Sequence, residues 1–348
     1  MSTALKAGEK TRAYELTGDF GIDALSVNEK PVPALKANQV KVRVKAVSLN
    51  FRDLLVVKGL YNRKLPMPMV PVSDGAGEVV EVGENVTSVK VGDKVAACFM
   101  QRWLAGPVDG DGASSALGGA INGMLAEYVV LSEEGLVHYP KSLSYEEAAS
   151  LPCAAVTAWN ALISTGQIKA GDTVLTMGTG GVSLFALQFA KLSGARVIIT
   201  SSSDEKLERA KKLGADETIN YKSNPDWEKQ VLALTGGVGV DHVIELGGAG
   251  TLSKSLKAVR LGGYISLIGV LSGGEGTVNP MPVLMKNIRL QGIYVGSRKM
   301  FEDMNVAIDQ HKLKPVLDKT FQFDEVKEAL KYMETGSHFG KITVRVDK

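Results

Sequence analysis

Glycines at positions 178, 180 and 181, set between a short apolar run and a helical pattern, are the residues whose type and spacing point most directly to chemistry. Thr173 to Met177 reads as a buried strand, Gly178, Thr179, Gly180 and Gly181 as a tight turn, and Val182 to Leu192 as a helix with apolar buried faces. Glycines let the backbone approach a pyrophosphate, and the unpaired N–H groups at a helix start, aligned with its dipole, attract the negative charge. The chemistry implied is dinucleotide binding, against the competing reading of an ordinary strand-to-helix turn. Ser183 stands where the G-x-G-x-x-G pattern has its third glycine, and its side chain predicts a slightly wider gap between helix and sheet.

The next strand ends in Thr200, Ser201, Ser202 and Ser203. An NAD site carries an acid at this point for the ribose hydroxyls, and the acid would repel a 2′-phosphate; Ser201 offers a hydroxyl that can donate to one. NADP is therefore favoured, with Asp204 and Glu205 weighing against it. Ser202 and Glu205 also read as a capping box for a helix from Glu205 to Leu213, a use compatible with the first. Ligands for a metal are scarce. Cys98 and Cys153 are the only cysteines, and the histidines, His138, His242, His311 and His338, are scattered. Nothing in this pattern resembles a closed zinc site.

The elements that must position these residues fall into two textures. From Arg12 to Val130 short alternating segments are broken by Gly, Pro, Asn and Asp. Val40 to Val47 predicts a half-exposed strand, Gly77 to Val82 another, and GENVTSVKVGDKV two more strand pieces between turns. Together they predict a β-barrel-like domain. Gln101 to Gly123, rich in Gly, Ala and Ser, predicts a long surface loop; Leu125 to Val130 resumes a strand, and Ser144 with Glu147 forms a capping box that opens a helix. After Cys153 strands (Val174 to Met177, Arg196 to Thr200, His242 to Glu245, Tyr264 to Ile268) alternate with helices around Leu184 to Leu192, Glu205 to Leu213, Trp227 to Leu234 and Leu252 to Val259. Such alternation predicts a parallel sheet with helices on both faces, and ligands at the carboxyl ends of its strands. The tail predicts a helix from Asp324 to Met333 and a final strand from Lys341 to Val346.

Size and composition are compatible with this. The 348 residues suffice for about two domains, and 45% hydrophobic with 22% charged residues is an ordinary globular balance. With 40 basic and 38 acidic residues the formal net charge is +2, which gives no bulk electrostatic reason for binding nucleic acid or an anionic membrane. The opening residues lack the apolar core of a signal peptide, and no run is long enough to span a bilayer, so a soluble cytoplasmic protein is expected.

The chain resembles the medium-chain dehydrogenase/reductase superfamily, in particular its zinc-independent, quinone-oxidoreductase-like members. Eight segments in one order carry the resemblance: AVSLNFRD (Ala46 to Asp53), DGAGEVVEVG (Asp74 to Gly83), VGDKV (Val91 to Val95), EYVV (Glu127 to Val130), LPCAAVTAW (Leu151 to Trp159), VLTMGTGGVS (Val174 to Ser183), AKKLGAD (Ala210 to Asp216) and GGYISLIGV (Gly262 to Val270). The resemblance implies an α/β fold: a GroES-like catalytic β-barrel domain from residues 1–155 and 297–348, a doubly wound Rossmann domain from 156–296, and an active site in the cleft. It implies a homodimer paired through the sheet edge at Asn287 to Val295. Where the alcohol dehydrogenases have a cysteine, a histidine followed by an acid, and a second cysteine as zinc ligands, this chain has Asn50, Ser73 beside Asp74, and Cys153, and no cysteine-rich structural lobe. No metal is expected.

By the same resemblance the catalytic candidates are Asn50, Asp53 and Tyr61, joined by Arg52, which the family pattern does not lead one to expect beside Asp53. Asn50 would donate to a substrate oxygen near the nicotinamide, and Tyr61 would supply a hydrogen bond or proton, or be a plain loop residue. Asp53 completes Asn-x-x-Asp, alternatively as a structural carboxylate. Arg52 would stabilise an enolate or quinol oxygen if it faces the cleft, or be a surface cation. For the cofactor, Thr157 aligns near the carboxamide, and Ser201, Ser202, Lys206 and Tyr221 with the 2′-phosphate. Ile268, Gly269 and Val270, with Tyr294, Val295 and Gly296, would border the nicotinamide ribose. His338, Phe339 and Lys341 would return over the cofactor. Tyr294 to Gly296 would alternatively serve only the dimer edge. The activity implied is NADPH-dependent hydride transfer to a quinone or an α,β-unsaturated carbonyl compound, a small-molecule substrate. A zinc-independent alcohol or aldehyde dehydrogenase and a noncatalytic, crystallin-like nucleotide-binding protein are the alternatives.

Overall fold

A computed structural model describes residues 10–346. The chain divides into two compact units, one joining the residues up to Val156 with those from Gly296 onward, the other Thr157–Val295.

The first unit is organised about the strand Gln39–Leu49. It pairs antiparallel with Asp74–Val82 on one side and with Lys341–Arg345 on the other, and its first half also pairs with Tyr128–Ser132. Lys94–Ala97 and Leu136–His138 extend the sheet beyond Asp74–Val82, and Leu317–Gln322 runs parallel beside Lys341–Arg345. Val40, Val42, Val44, Val79, Val95 and Val344 pack in one core with Leu330 and Met333 of the helix Val326–Glu334. The segment 40–47 is more buried than its alternation predicts. Lys41 is fully buried and its ammonium pairs with Glu81 on the neighbouring strand, so a basic residue here marks an ion pair and not a solvent face.

Two other expectations change. GENVTSVKVGDKV yields one strand, Lys94–Ala97, because the residues before it fold back: Asn85 N–H donates to the Ala37 carbonyl and Val86 N–H to that of Gly83. Gln101 to Gly123 is not a plain surface loop. It holds the short helix Gly110–Ala113, capped by Asp109, and buries Ala116 and Leu117. Its small residues permit close packing: a Cβ on Gly118 or Gly123 would lie 2.7 or 2.1 Å from the Val72 backbone. Its other end is fixed as well, since the carbonyls of Trp103 and Leu104 accept from the N–H groups of Arg298 and Lys299.

The second unit carries six strands: β1 (Thr173–Met177), β2 (Arg196–Ser201), β3 (Glu217–Asn220), β4 (Val240–Glu245), β5 (Val259–Leu267) and β6 (Arg289–Gly292). All pairings are parallel, and the order across the sheet is β3-β2-β1-β4-β5-β6. The order reverses between β1 and β4, the switch point at which such sheets bind ligands. Gly181–Leu192, Asp204–Lys212, Trp227–Leu234 and Leu252–Ala258 are the helices that follow β1 to β4. β3 is an addition to the strands expected from the sequence. Among the described residues no helix is long and apolar enough to cross a membrane.

Candidate functional site

In the second unit β1 ends at Met177, and Gly178 turns the chain at φ +74°, a left-handed conformation that suits glycine. Its N–H lies 3.4 Å from Thr200 Oγ1 at the end of β2. Gly180 caps the twelve-residue helix Gly181–Leu192 in an extended conformation, and a Cβ there would meet nothing within 4 Å. The first N–H groups of a helix have no acceptor within it. Open space over a glycine beside such donors fits a bound pyrophosphate. Ser183 does not leave an idle side chain at the helix–sheet contact: its buried hydroxyl donates to the Met177 carbonyl at 2.5 Å, tying helix to strand.

Ser201, Ser202 and Lys206, Tyr221, Ile268 to Val270, and Tyr294 with Val295 all follow the carboxyl ends of β2, β3, β5 and β6, the edge of the sheet that carries the glycine turn. Ser203, not Ser202, caps the next helix, accepting from Lys206 N–H, so the helix begins at Asp204. Ser201 is buried at the strand end, and Asp204 accepts from Asn220 Nδ2 at 2.7 Å. Tyr221 and Val270 are exposed, Thr157 is buried, and Gly296 falls in the first unit. Sequence reasoning passed over Glu245. This fully buried carboxylate at the end of β4 accepts from the N–H groups of Gly247 and Gly248 and from Thr251 and Ser255 hydroxyls, fixing the turn after that strand. An acid that ends an apolar run, with one residue between it and a pair of glycines, was the available signal.

The first unit brings a second set together where three strands end. Leu49 pairs with Ile342 and Ser48 with Asp74, so Asn50, Asp74 and Lys341 meet at one end of the sheet. Asn50 then caps the helix Phe51–Val57, and Asp53 reaches back to its N–H at 2.9 Å. Lys341, only 3% exposed, donates to the Leu49 carbonyl (2.7 Å) and to Asn50 Oδ1 (2.6 Å). Asn50 Nδ2 lies 3.5 Å from Ser73 Oγ, which donates to Asp74 Oδ1 at 2.7 Å, and Cys153 N–H donates to Asp74 Oδ2 at 3.1 Å. Burial pushes the Asp74 carboxyl up to about 6, the opposing pull of Lys341 notwithstanding. Burial likewise raises Asp53, and raises the Cys153 thiol, assisted by the charge of Asp74.

Arg52 is not the surface cation that one reading of the sequence offered. Its side chain is largely buried, its Nη1 donates to the carbonyls of Leu117 (2.7 Å) and Gly118 (3.0 Å), and its guanidinium lies between the rings of Tyr61 (5.1 Å) and Phe99 (5.0 Å). It anchors the segment that follows Gln101. Tyr61 is 43% exposed on the outer side of this stack. Asp53 accepts from the backbone of Asn50 and Ser73, a structural duty. Phe339 is buried, and Lys341 spends its ammonium on Leu49 and Asn50.

The donor set here does not fit a catalytic zinc, which takes three protein ligands. Asn50 presents an amide whose oxygen is already taken by an ammonium, and among the described residues no group of three or more His, Cys, Asp or Glu side chains is placed to hold a metal ion. The cluster can do something else: offer a partly exposed amide N–H, held from behind, to an oxygen that gains charge.

Comparison with known proteins gives these units relatives. The family model of the alcohol dehydrogenase GroES-like domain matches residues 36–141, and that of zinc-binding dehydrogenases residues 181–310. A zinc-type alcohol dehydrogenase-like protein of Schizosaccharomyces pombe is 48% identical over 94% of this chain and 96% of its own length. The NADPH-dependent alkenal/one oxidoreductase, chloroplastic, of Arabidopsis thaliana is 31% identical over 97% of this chain and 80% of its own. A solved structure from Sinorhizobium meliloti 1021, 44% identical, superposes with a TM-score of 0.91 and covers 99% of this chain and 100% of that one.

Proposed function

The chain belongs to the medium-chain dehydrogenase/reductase superfamily, and from that premise we propose that it is an NADPH-dependent reductase of quinones or α,β-unsaturated carbonyl compounds that works without zinc. The observation that carries this reading is Asn50, bonded to Lys341 in the place of a metal ligand. A nicotinamide dinucleotide bound along the carboxyl edge of the parallel sheet supplies hydride to an electron-poor carbon.

The chain's own residues do the rest. The turn Gly178 to Val182 holds the diphosphate, Glu245 keeps the neighbouring turn in shape, and Ser201, Ser202, Lys206 and Tyr221 receive the 2′-phosphate. The hydroxyl end of β2, with Asp204 drawn to Asn220, supports NADPH over NADH. Thr157, Ile268 to Val270, Tyr294 to Gly296, His338 and Phe339 complete the cofactor's surroundings, whereas Lys341 gives its ammonium to Leu49 and Asn50. Asn50 Nδ2 donates to the substrate carbonyl oxygen as charge develops on it, and Tyr61 supplies a proton to that oxygen. Asp53 and Arg52 hold the loop and helix that carry these two. Dimerisation through β6, whose four residues are all exposed, and a cytoplasmic location complete the reading.

A screen of quinones, enones and aldehydes for NADPH oxidation tests it, together with the Michaelis constants for NADPH and NADH and a metal analysis of dialysed protein. Turnover of quinones or enones with a lower constant for NADPH is expected. Asn50→Ala is expected to lower turnover by about 100-fold with NADPH affinity unchanged. Cofactor binding with no turnover of any acceptor overturns the enzyme reading, and stoichiometric zinc overturns the metal-free one. The alcohol-dehydrogenase-like name of the Schizosaccharomyces pombe relative favours a second reading, a zinc-independent alcohol or aldehyde dehydrogenase, which oxidation of simple alcohols by NADP would support.

A further inference from the structure

We propose that Lys341 is a positioning residue for the Asn50 amide: its buried ammonium stands in for the missing metal by fixing which edge of that amide is offered to substrate. The inference rests on the role given above to Asn50. An ammonium carries donors and no acceptor, so the Asn50 atom 2.6 Å from Lys341 Nζ must be the carbonyl oxygen. The amide orientation is thereby settled by chemistry, with Nδ2 on the opposite edge. Beyond it the order is forced from the other end. Asp74 accepts from Ser73 Oγ at 2.7 Å, which leaves that hydroxyl's lone pair for Asn50 Nδ2. A donor-only group and an acceptor thus close a chain running Lys341, Asn50, Ser73, Asp74 in one direction.

The ammonium is itself held. Lys341 opens the strand Lys341–Arg345, its neighbour Ile342 pairs with Leu49, and its Nζ donates to the Leu49 carbonyl at 2.7 Å. Its side chain enters from a strand and not from a mobile loop, so the amide it orients is fixed by the sheet register. Ser73 takes an Nδ2 hydrogen only at the 3.5 Å limit, and the same amide bonds to the Asp74 carboxyl; Asn50 is partly exposed, and it is this Nδ2 edge that a substrate oxygen shares. Withdrawal of density through Oδ1 toward the ammonium makes that edge a stronger donor. The electrostatic help that a metal ion would give directly is passed on through one amide.

The test compares wild type, Lys341→Met, Lys341→Arg, Asn50→Ala and the double variant Lys341→Met/Asn50→Ala. NADPH affinity is read from quenching of tryptophan fluorescence, turnover with an accepted quinone or enone, and the Asn50 side-chain amide by NMR of cofactor-free protein labelled at asparagine nitrogen. Lys341→Met is expected to lower kcat by roughly 10- to 100-fold with NADPH affinity unchanged, to cause no further loss once Asn50 is alanine, and to shift or broaden the Asn50 amide pair. Lys341→Arg, which keeps a donor-only head group, restores part of kcat and a resolved amide pair. An amide pair unchanged in Lys341→Met overturns the proposal, with or without an active enzyme. So does an additive loss in the double variant, or a weakened NADPH affinity with kcat intact. If wild-type protein turns over no acceptor, the proposed function fails and the NMR result alone decides the role of Lys341. If Lys341→Met does not fold, Lys341→Arg and Asn50→Ala are compared by the same amide spectrum, and loss of the pair in Lys341→Arg counts against the proposal.

Discussion

Around Gly180 in the second unit an added methyl group would meet nothing within 4 Å, whereas around Asp74 in the first unit a carboxylate, a hydroxyl, an amide and an ammonium are bonded end to end, all buried but the amide, which is partly exposed. One unit offers backbone donors and empty space; the other offers side chains already committed to one another. Each is therefore vulnerable in its own way. A backbone site is spoiled by adding atoms, and a side-chain site by taking them away.

The largest effect is expected where the committed side chains also hold the fold. Arg52→Met leaves the carbonyls of Leu117 and Gly118 without their donor and removes the cation between Tyr61 and Phe99. A loss of about 3 kcal/mol in urea unfolding is expected, in keeping with breaking a buried charged contact. If stability is unchanged while turnover collapses, Arg52 belongs to the chemistry and the contrast between the units weakens.

Gly180→Asp should do the reverse. Aspartate is a favoured cap in the extended conformation Gly180 adopts, so thermal stability is expected to hold or rise slightly. On the proposed function its charge and bulk occupy the space of the diphosphate, and NADPH affinity is expected to fall on the order of 100-fold. Titration of tryptophan fluorescence together with a thermal melt reads both, and intact affinity would mean that the diphosphate does not sit over Gly180.

A smaller effect sharpens the picture of the buried chain. Asp74 is raised from 3.8 to about 6 by burial. Between about pH 4 and pH 6 the unfolded chain has lost this proton while the folded one keeps it, so the group's contribution is full at the acid end and is lost as the pH rises through about 6. Relative to Asp74→Asn, wild-type stability is expected to drop by about 1–3 kcal/mol across that window, measured by urea unfolding at fixed ionic strength. A rise with pH would mean that Lys341 outweighs desolvation.

The parallel sheet was legible because its helices are long and periodic and its glycine turn is local: Trp227 to Leu234 was placed to the residue, and the helix after Gly180 to within one. β3 was missed since ETIN is short and only Ile219 is deeply buried. The fourteen-residue helix Arg298–His311 carries a readable stripe, Phe301, Met304 and Ile308, that went unread beside its many charged residues. Asn50, Ser73, Asp74 and Cys153 were visible one by one as altered ligand positions. That Lys341 would join them was not, because the contact spans 291 residues and is decided by the pairing of Ile342 with Leu49. Non-local register leaves no local signature.

That pairing has a consequence in time. Thr157–Val295 is one uninterrupted stretch, and all six strands of its sheet have been translated by Gly292. The sheet around Gln39–Leu49 must instead wait, with one edge bare, until Lys341–Arg345 has been translated. The ammonium therefore reaches its amide last, so a chain cut short before that strand would own a nucleotide cradle and lack the lysine that orients Asn50.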